Sequence, residues 1–212
     1  EELVTGRLES YYDFVKGNGD IQVLTPTRKG GLVTASLNEM LQSIINPASE
    51  ELNERKFVSK VFREGDKVMQ IRNNYQMEWQ QLGRQSGRGI FNGDMGVINT
   101  IDNDNAKMVV DFDGRFVTYD SEELDELELA YAVTVHKSQG CEFPVVIMPI
   151  SGFPPMLATR NLLYTAITRG KKLVILVGSE ERMHRMIDNN RIDERYTGLE
   201  ARLREVDMGG LL

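Results

Sequence analysis

The chain has 212 residues, 41% of them hydrophobic, and a formal net charge of −7; that is enough for one medium domain or two small ones with a core of their own. One cysteine, Cys141, and two histidines, His136 and His184, exclude a disulfide framework and a multi-cysteine zinc site and leave little for a histidine metal centre. No apolar run approaches the roughly 18 residues of a membrane span, so a soluble protein is expected, with no membrane partner and no metal held by its own side chains. The opening Glu1-Glu2, with no initiator Met and no basic or apolar leader, is what a piece of a longer protein would show rather than a signal peptide. The acidic balance argues against a generally basic nucleic-acid coat but leaves room for a local basic groove.

Taken in chain order, residues 3–15 carry a loose helical apolar pattern that Gly17-Asn18-Gly19 stops. Residues 21–24 form a short β-branched apolar run ending in Thr25-Pro26, which reads as a buried strand. After Gly30-Gly31, the residues Leu32, Ala35, Leu37, Leu41, Ile44 and Ile45 recur at helical spacing as far as Pro47. Helix, strand, glycine-bearing loop and helix make an α/β rhythm.

The character changes after residue 50. Residues 55–88 hold eight arginines and lysines against three acidic residues, with Tyr75 and Trp79 among them. Either aromatic could stack a base or fill a core. Residues 61–71 read as one strand and 73–89 as a polar loop. Three short β runs follow, at 96–101, 108–112 and 116–119, separated by Asn103-Asp104-Asn105 and Asp113-Gly114. An Asp-Gly pair between alternating strands is a strong hairpin signal, because its residues must take positive φ. A small antiparallel barrel is expected over residues 60–125, and the acidic run 122–128 reads as a solvated face. The α/β rhythm then resumes: strands at 130–135, 145–150 and 173–177, a helix at 161–168, and a helix capped by Ser179 running to about Asn189.

Three segments at the strand ends carry chemistry. One is Thr134-Val135-His136-Lys137-Ser138-Gln139-Gly140-Cys141-Glu142-Phe143, which offers hydroxyls, an imidazole, an ammonium, an amide and a carboxylate within ten residues; a plain turn needs no such inventory. The second is Tyr164-Thr165-Ala166-Ile167-Thr168-Arg169-Gly170-Lys171-Lys172, and the third Thr25-Pro26-Thr27-Arg28-Lys29-Gly30. Open α/β sheets bind ligands where such polar segments leave the strands. Arginines aimed at one point, here Arg28 and Arg169, suit phosphate, because guanidinium forks bind its oxygens bidentately. Cys141 has no cysteine partner and no evident activating base, so it reads as a small packing residue.

In their order and separation these segments resemble motifs IV, V and VI of superfamily 1 DNA helicases, most closely the RecD/TraA family of the exodeoxyribonuclease V alpha-subunit type. The resemblance covers nearly the whole chain. It implies an α/β fold: a RecA-like parallel sheet of the P-loop NTPase type, here the second motor domain, formed by residues 1–59 and 126–212. It also implies that residues 60–125 are an inserted SH3-like β barrel, and residues 65–69 and 92–96 are similar to that subdomain's first strands. By the same resemblance Arg28 contacts the γ-phosphate of ATP and Arg169 acts as the arginine finger. Gly140 lets the backbone approach the nucleotide, and Glu142 accepts a hydrogen bond from the ribose. Thr27, Thr134, His136 and Lys137 touch single-stranded DNA. The implied protein is a bacterial cytoplasmic helicase using ATP and Mg²⁺, running 5′ to 3′, in repair, recombination or conjugation, alone or with other subunits of a helicase–nuclease complex.

The sequence departs from a complete motor in one respect. It contains no Gly-x-x-x-x-Gly-Lys-Ser/Thr segment, and Gly170-Lys171 is followed by Lys172. Nothing in the chain therefore cradles phosphates in the P-loop manner or offers a hydroxyl to magnesium. A first motor domain carrying those groups and the magnesium ligands is expected upstream, and the isolated chain is expected not to turn over ATP. Residues 108–111 resemble a Walker B strand only superficially, given the adjacent Asp-Gly turn. Two other readings stand beside the motor: a passive module binding single-stranded nucleic acid, and a non-catalytic subunit of a helicase–nuclease complex. A nuclease finds little support, since no paired-carboxylate-plus-lysine constellation is visible.

Overall fold

The structure, a computed structural model, describes residues 21–27, 34–81, 83 and 85–190; the helical pattern at 3–15, Arg28 and the charged C-terminal stretch lie outside these. A four-stranded parallel sheet forms one part, in the order β11 (Ala132–Thr134), β1 (Ile21–Thr25), β12 (Phe143–Pro149), β13 (Gly170–Val177). The pairings Thr25↔Thr134, Ile21↔Val145 and Phe143↔Gly170 set its register. Alternate residues of β12 serve two cores. Val145 and Ile147 join Val23, Leu37 and Leu41 on the face covered by helix α1 (Thr34–Ile45). Val146 and Met148 join Leu24, Val133, Leu162 and Met186 on the other, under α2 (Arg160–Ile167) and α3 (Glu180–Asp188). A strand covered on both faces has no polar side to show, which is why its sequence is an unbroken apolar run. β13 is only half-buried, lying at the sheet's edge among the described residues. Thr159 and Ser179 cap α2 and α3, their side chains accepting from the backbone N–H groups of Leu162 and Arg182.

The second part is a curled seven-stranded antiparallel sheet, a half-barrel. Its order is β10 (Leu127–Leu129), β4 (Lys67–Gln70), β7 (Met95–Asp102), β8 (Lys107–Phe112), β9 (Arg115–Asp120), β5 (Asn74–Gln81), β6 (Ser86–Ile90). A separate hairpin pairs β2 (Glu54–Phe57) with β3 (Lys60–Arg63). Asp113 and Gly114 both take positive φ, 55° and 85°, in the tight β8–β9 turn, the geometry that Asp-Gly supplies.

Three sequence expectations are corrected. Residues 61–71 are two strands, β3 and β4, because the chain turns at residues 64–66 to bring Asp66 inside. Residues 73–89 are not a loop but the pair β5 and β6; only Met77 and Trp79 of β5 point to the core while its other residues are polar and exposed, so the apolar alternation is too sparse to read. The run 122–128 is more than a solvated face. Leu124 and Leu127 are buried, and the Glu126 carboxylate accepts hydrogen bonds from Gln70 and Asn74. The two aromatics take different roles: Trp79 packs against the half-barrel core, whereas Tyr75 is 65% exposed with its ring edge-on to Phe91.

The two sheets meet at Asp66, which is fully buried. Its carboxylate accepts from Asn46 Nδ2 at 2.7 Å, Tyr131 Oη at 2.9 Å and the backbone N–H of Arg63 at 2.7 Å. Gln42 Nε2 donates a fourth bond. Gln42 and Asn46 sit on α1 and just beyond it, and Tyr131 lies between β10 and β11, so one carboxylate ties helix, half-barrel and parallel sheet. Lys67 Nζ donates to Ile21 O across the same seam, and Met69 and Met95 of the half-barrel pack against the core under α2 and α3.

Burial pushes the Asp66 carboxyl above its ordinary value, and the four donated bonds pull it back only in part. A raised folded-state value means the group favours the fold most when protonated: its contribution is complete below the unfolded value and lost as the pH climbs through the folded one. Asp66→Ala strands its four donors and is expected to cost about 2–4 kcal/mol in urea denaturation. The stability difference between wild type and variant should shrink as the pH rises through the Asp66 titration; a constant difference would contradict this account.

Candidate functional site

The parallel sheet sorts the expected site residues onto two opposite edges. β1 and β11 end together at Thr25 and Thr134, and the segments carrying Thr27, His136 and Lys137 follow them. β12 and β13 begin together at Phe143 and Gly170, and Glu142 and Arg169 immediately precede them. At about 3.3 Å per residue, the registers separate the two edges by roughly 20 Å. Residues 135–142 cross from one edge to the other. Thr27 leaves the edge opposite Arg169, and Arg28, expected to converge with Arg169, lies outside the described residues.

At the edge where β12 and β13 begin, the guanidinium of Arg169 is fixed by its own surroundings. Nη1 donates to the Cys141 carbonyl at 3.0 Å and Nε to the Thr165 carbonyl at 3.3 Å, while Nη2 meets the exposed Thr168 hydroxyl at 3.3 Å. The backbone is tied as well, Phe143 N–H donating to Arg169 O at 2.8 Å. Two segments far apart in sequence thus share one edge, with the arginine half-buried and its Nη2 side turned outward. Gly140, beside it, has φ +87° and open space where a side chain would stand. The positive φ favours glycine, and a ligand can approach the backbone there. Glu142 is exposed and paired with Lys171 at 2.8 Å; the Lys171 ammonium holds its carboxyl below the usual value. Burial pushes the Cys141 thiol up against the opposing pull of Arg169, and Asp94 of the half-barrel adds to the rise. A thiol so placed is a packing residue, not a nucleophile.

At the other edge, Thr134 is nearly buried. Its hydroxyl and carbonyl both accept from the Lys137 N–H, shaping the turn. His136 is exposed. Lys137 is half-buried and pairs with Glu128 at 3.0 Å. The Thr27 carbonyl accepts from the Thr25 hydroxyl at 3.3 Å, so Thr27 itself serves partly to close the loop after β1. Sequence reasoning missed Lys171 as the partner of Glu142 and the Cys141 carbonyl as the anchor of Arg169. A lysine in a run of basic residues and a backbone carbonyl leave no pattern that identifies the contact.

The Glu142–Lys171 pair is directly testable. The Glu142 carboxyl should titrate below the ordinary glutamate range by carbon-detected NMR and return to it in Lys171→Ala or in high salt, which screens an exposed pair. The same midpoint in wild type and variant would remove Lys171 as the cause.

Both parts of the chain have similar known proteins. The family model of the ATP-dependent RecD-like DNA helicase SH3 domain matches residues 37–112, and that of the UvrD-like helicase C-terminal domain matches residues 129–177. The ATP-dependent RecD2 DNA helicase of Deinococcus radiodurans is 37% identical over 163 residues, which is 77% of this chain and 21% of that protein. The RecBCD enzyme subunit RecD of Mycolicibacterium smegmatis is 36% identical over 118 residues, 56% of this chain and 20% of that one. The chain thus spans about a fifth of the length of these curated relatives. Among solved structures, the Pif1 helicase from Bacteroides in complex with ADP-AlF3 and ssDNA superposes with a TM-score of 0.55 at 18% identity, over 99% of this chain and 49% of that one, a likeness of fold. With the half-barrel matching one helicase domain model and the strands that carry the Arg169 edge matching another, both parts of the chain are similar to RecD-like DNA helicases.

Proposed function

We propose that this chain is the C-terminal motor part of an ATP-dependent DNA helicase, in which residues 1–59 and 126–212 form the second motor domain and 60–125 the inserted SH3-like unit. The observation that carries this reading is the Arg169 guanidinium, anchored on the Cys141 carbonyl beside the open backbone of Gly140. That edge fits a nucleotide polyphosphate as one wall of a site. Arg169 and Lys171 supply positive charge, Gly140 lets the phosphates come close, and Glu142 is a hydrogen-bond acceptor suited to a ribose hydroxyl. ATP supplies the free energy of phosphoryl transfer; Arg169 stabilises charge on the transferred oxygens, as arginine fingers do. Arg28 is assigned to the γ-phosphate by its motif alone; its neighbour Thr27 leaves the edge opposite Arg169, so Arg169 carries the nucleotide assignment. The resemblance assigns the magnesium ligands, together with the P-loop, to a first motor domain outside this chain.

The opposite edge is the DNA side of this reading. Thr27, Thr134, His136 and Lys137 contact the backbone of single-stranded DNA, contacts that position the strand without reading its sequence. Residues 135–142 then join the DNA edge to the nucleotide edge within a single short segment, which is what a translocating motor needs. Movement is 5′ to 3′, as the RecD-like resemblance implies.

The test is ATP hydrolysis by the full-length protein with and without single-stranded DNA. DNA should stimulate turnover, and Arg169→Ala should lower it by about 10³–10⁵-fold while oligonucleotide affinity is retained. Stimulation untouched by the substitution would remove Arg169 from the nucleotide; no stimulation at all would leave a passive single-strand-binding module. Unwinding of a 5′-tailed but not a 3′-tailed duplex checks the direction.

A further inference from the structure

One cavity lies apart from the nucleotide edge. A cleft of about 430 Å³ opens between α1 and the β2–β3 hairpin, with Ala35, Leu129, Val133 and Thr134 in its walls and Lys60 and Lys137 at its side. Its size falls in the range of small-molecule sites, and Thr134 and Lys137 belong to the edge assigned to DNA. Lys60 is half-buried, donating to Leu127 O at 2.7 Å, and burial lowers its pKa. Carboxylates of Glu39 and Glu128 also line the cleft. They oppose a phosphate inside it, whereas a neutral, flat, hydrogen-bonding group suits walls that are part apolar and part polar.

The hairpin beside this cleft carries a second anomaly. Its two-residue tip is Val58-Ser59, between the paired Phe57 and Lys60. Val58 has φ +54°, a conformation a β-branched residue avoids and a position that glycine normally takes in such turns. Its side chain is 93% exposed. The fold gains nothing from a valine there: it is strained and touches little. Strain retained at an exposed tip points to a contact made only with a ligand. Lys56, also exposed, flanks it on the same hairpin.

We propose that this cleft receives one unstacked base of the single strand held at Thr134 and His136, with the Val58 side chain packing against the neighbouring base and keeping the two apart. This rests on the single-strand reading above and adds to it a base-binding subsite on the β2–β3 hairpin and α1. Recognition is by shape and stacking, so it tolerates any base.

The experiment measures binding of fluorescein-labelled oligothymidylate, and of an abasic backbone of the same length, by the full chain. Two variants probe the cleft and the hairpin tip beside it. Ala35→Trp fills the cleft from the exposed face of α1, and Val58→Gly removes the wedge while relieving the backbone. Both should weaken oligothymidylate binding about tenfold, within the usual worth of one stacked base, and leave binding of the abasic backbone unchanged. Val58→Gly should melt at or above the wild-type temperature, which separates loss of contact from loss of fold. Variants that bind both probes as wild type does, or that lose both equally, overturn the subsite while leaving the DNA edge in place. A wild-type chain that binds neither probe overturns the single-strand reading, and the subsite falls with it.

Discussion

Asp66 decides how the rest of this molecule is assembled. A carboxylate with no solvent access is costly to bury, and here it is tolerated because four donors from three places in the chain converge on it. Those donors belong to α1, to the turn entering β4 and to the link between β10 and β11. Moving the half-barrel relative to the parallel sheet would break several of these bonds at once. The half-barrel is therefore bound to the α/β part by directional polar contacts as well as by Met69 and Met95, and the β2–β3 hairpin holds a defined place beside α1.

That fixed seam gives the site its logic. The parallel sheet separates two groups of residues by the length of its strands, Arg169, Gly140 and Glu142 at the edge proposed for nucleotide and Thr134 and His136 at the edge proposed for DNA. Residues 135–142 span the gap. Arg169 is held at the first edge by the carbonyl of Cys141, in that same spanning segment. A displacement of the Arg169 guanidinium would break its bond to the segment that leads back to Thr134. Met95 of the half-barrel and Cys141 pack against the same core, so the half-barrel abuts the segment that anchors Arg169.

Much of the fold was legible in the sequence because its signals are local. The unbroken apolar run at 145–149, the Ser179 cap and the Asp113-Gly114 turn each state their structure within a few residues. The order and spacing of the segments around Thr134 to Phe143 and Tyr164 to Lys172 carried the resemblance to RecD-like helicases for the same reason, since motif residues cluster in short loops. The strands β5 and β6 were hidden because their outer faces are polar and only two side chains of β5 face the core. The break between β3 and β4 was hidden because a single charged residue, Asp66, turns inward, and nothing nearby in sequence says that Gln42, Asn46 and Tyr131 wait for it.

By itself, then, the sequence determined most of the elements, the resemblance to RecD-like helicases and the candidates proposed to meet phosphate and strand, since these depend on side-chain type and short-range spacing. The tertiary structure alone decided which of them share an edge. It set Arg169 with Gly140 and Glu142, set Thr27 and Thr134 at the far end of the strands, and placed the strained Val58 tip beside a cleft that no linear pattern foretells. The reason is that parallel strand register and the burial of Asp66 are long-range choices, made only when segments distant in the chain pack against each other.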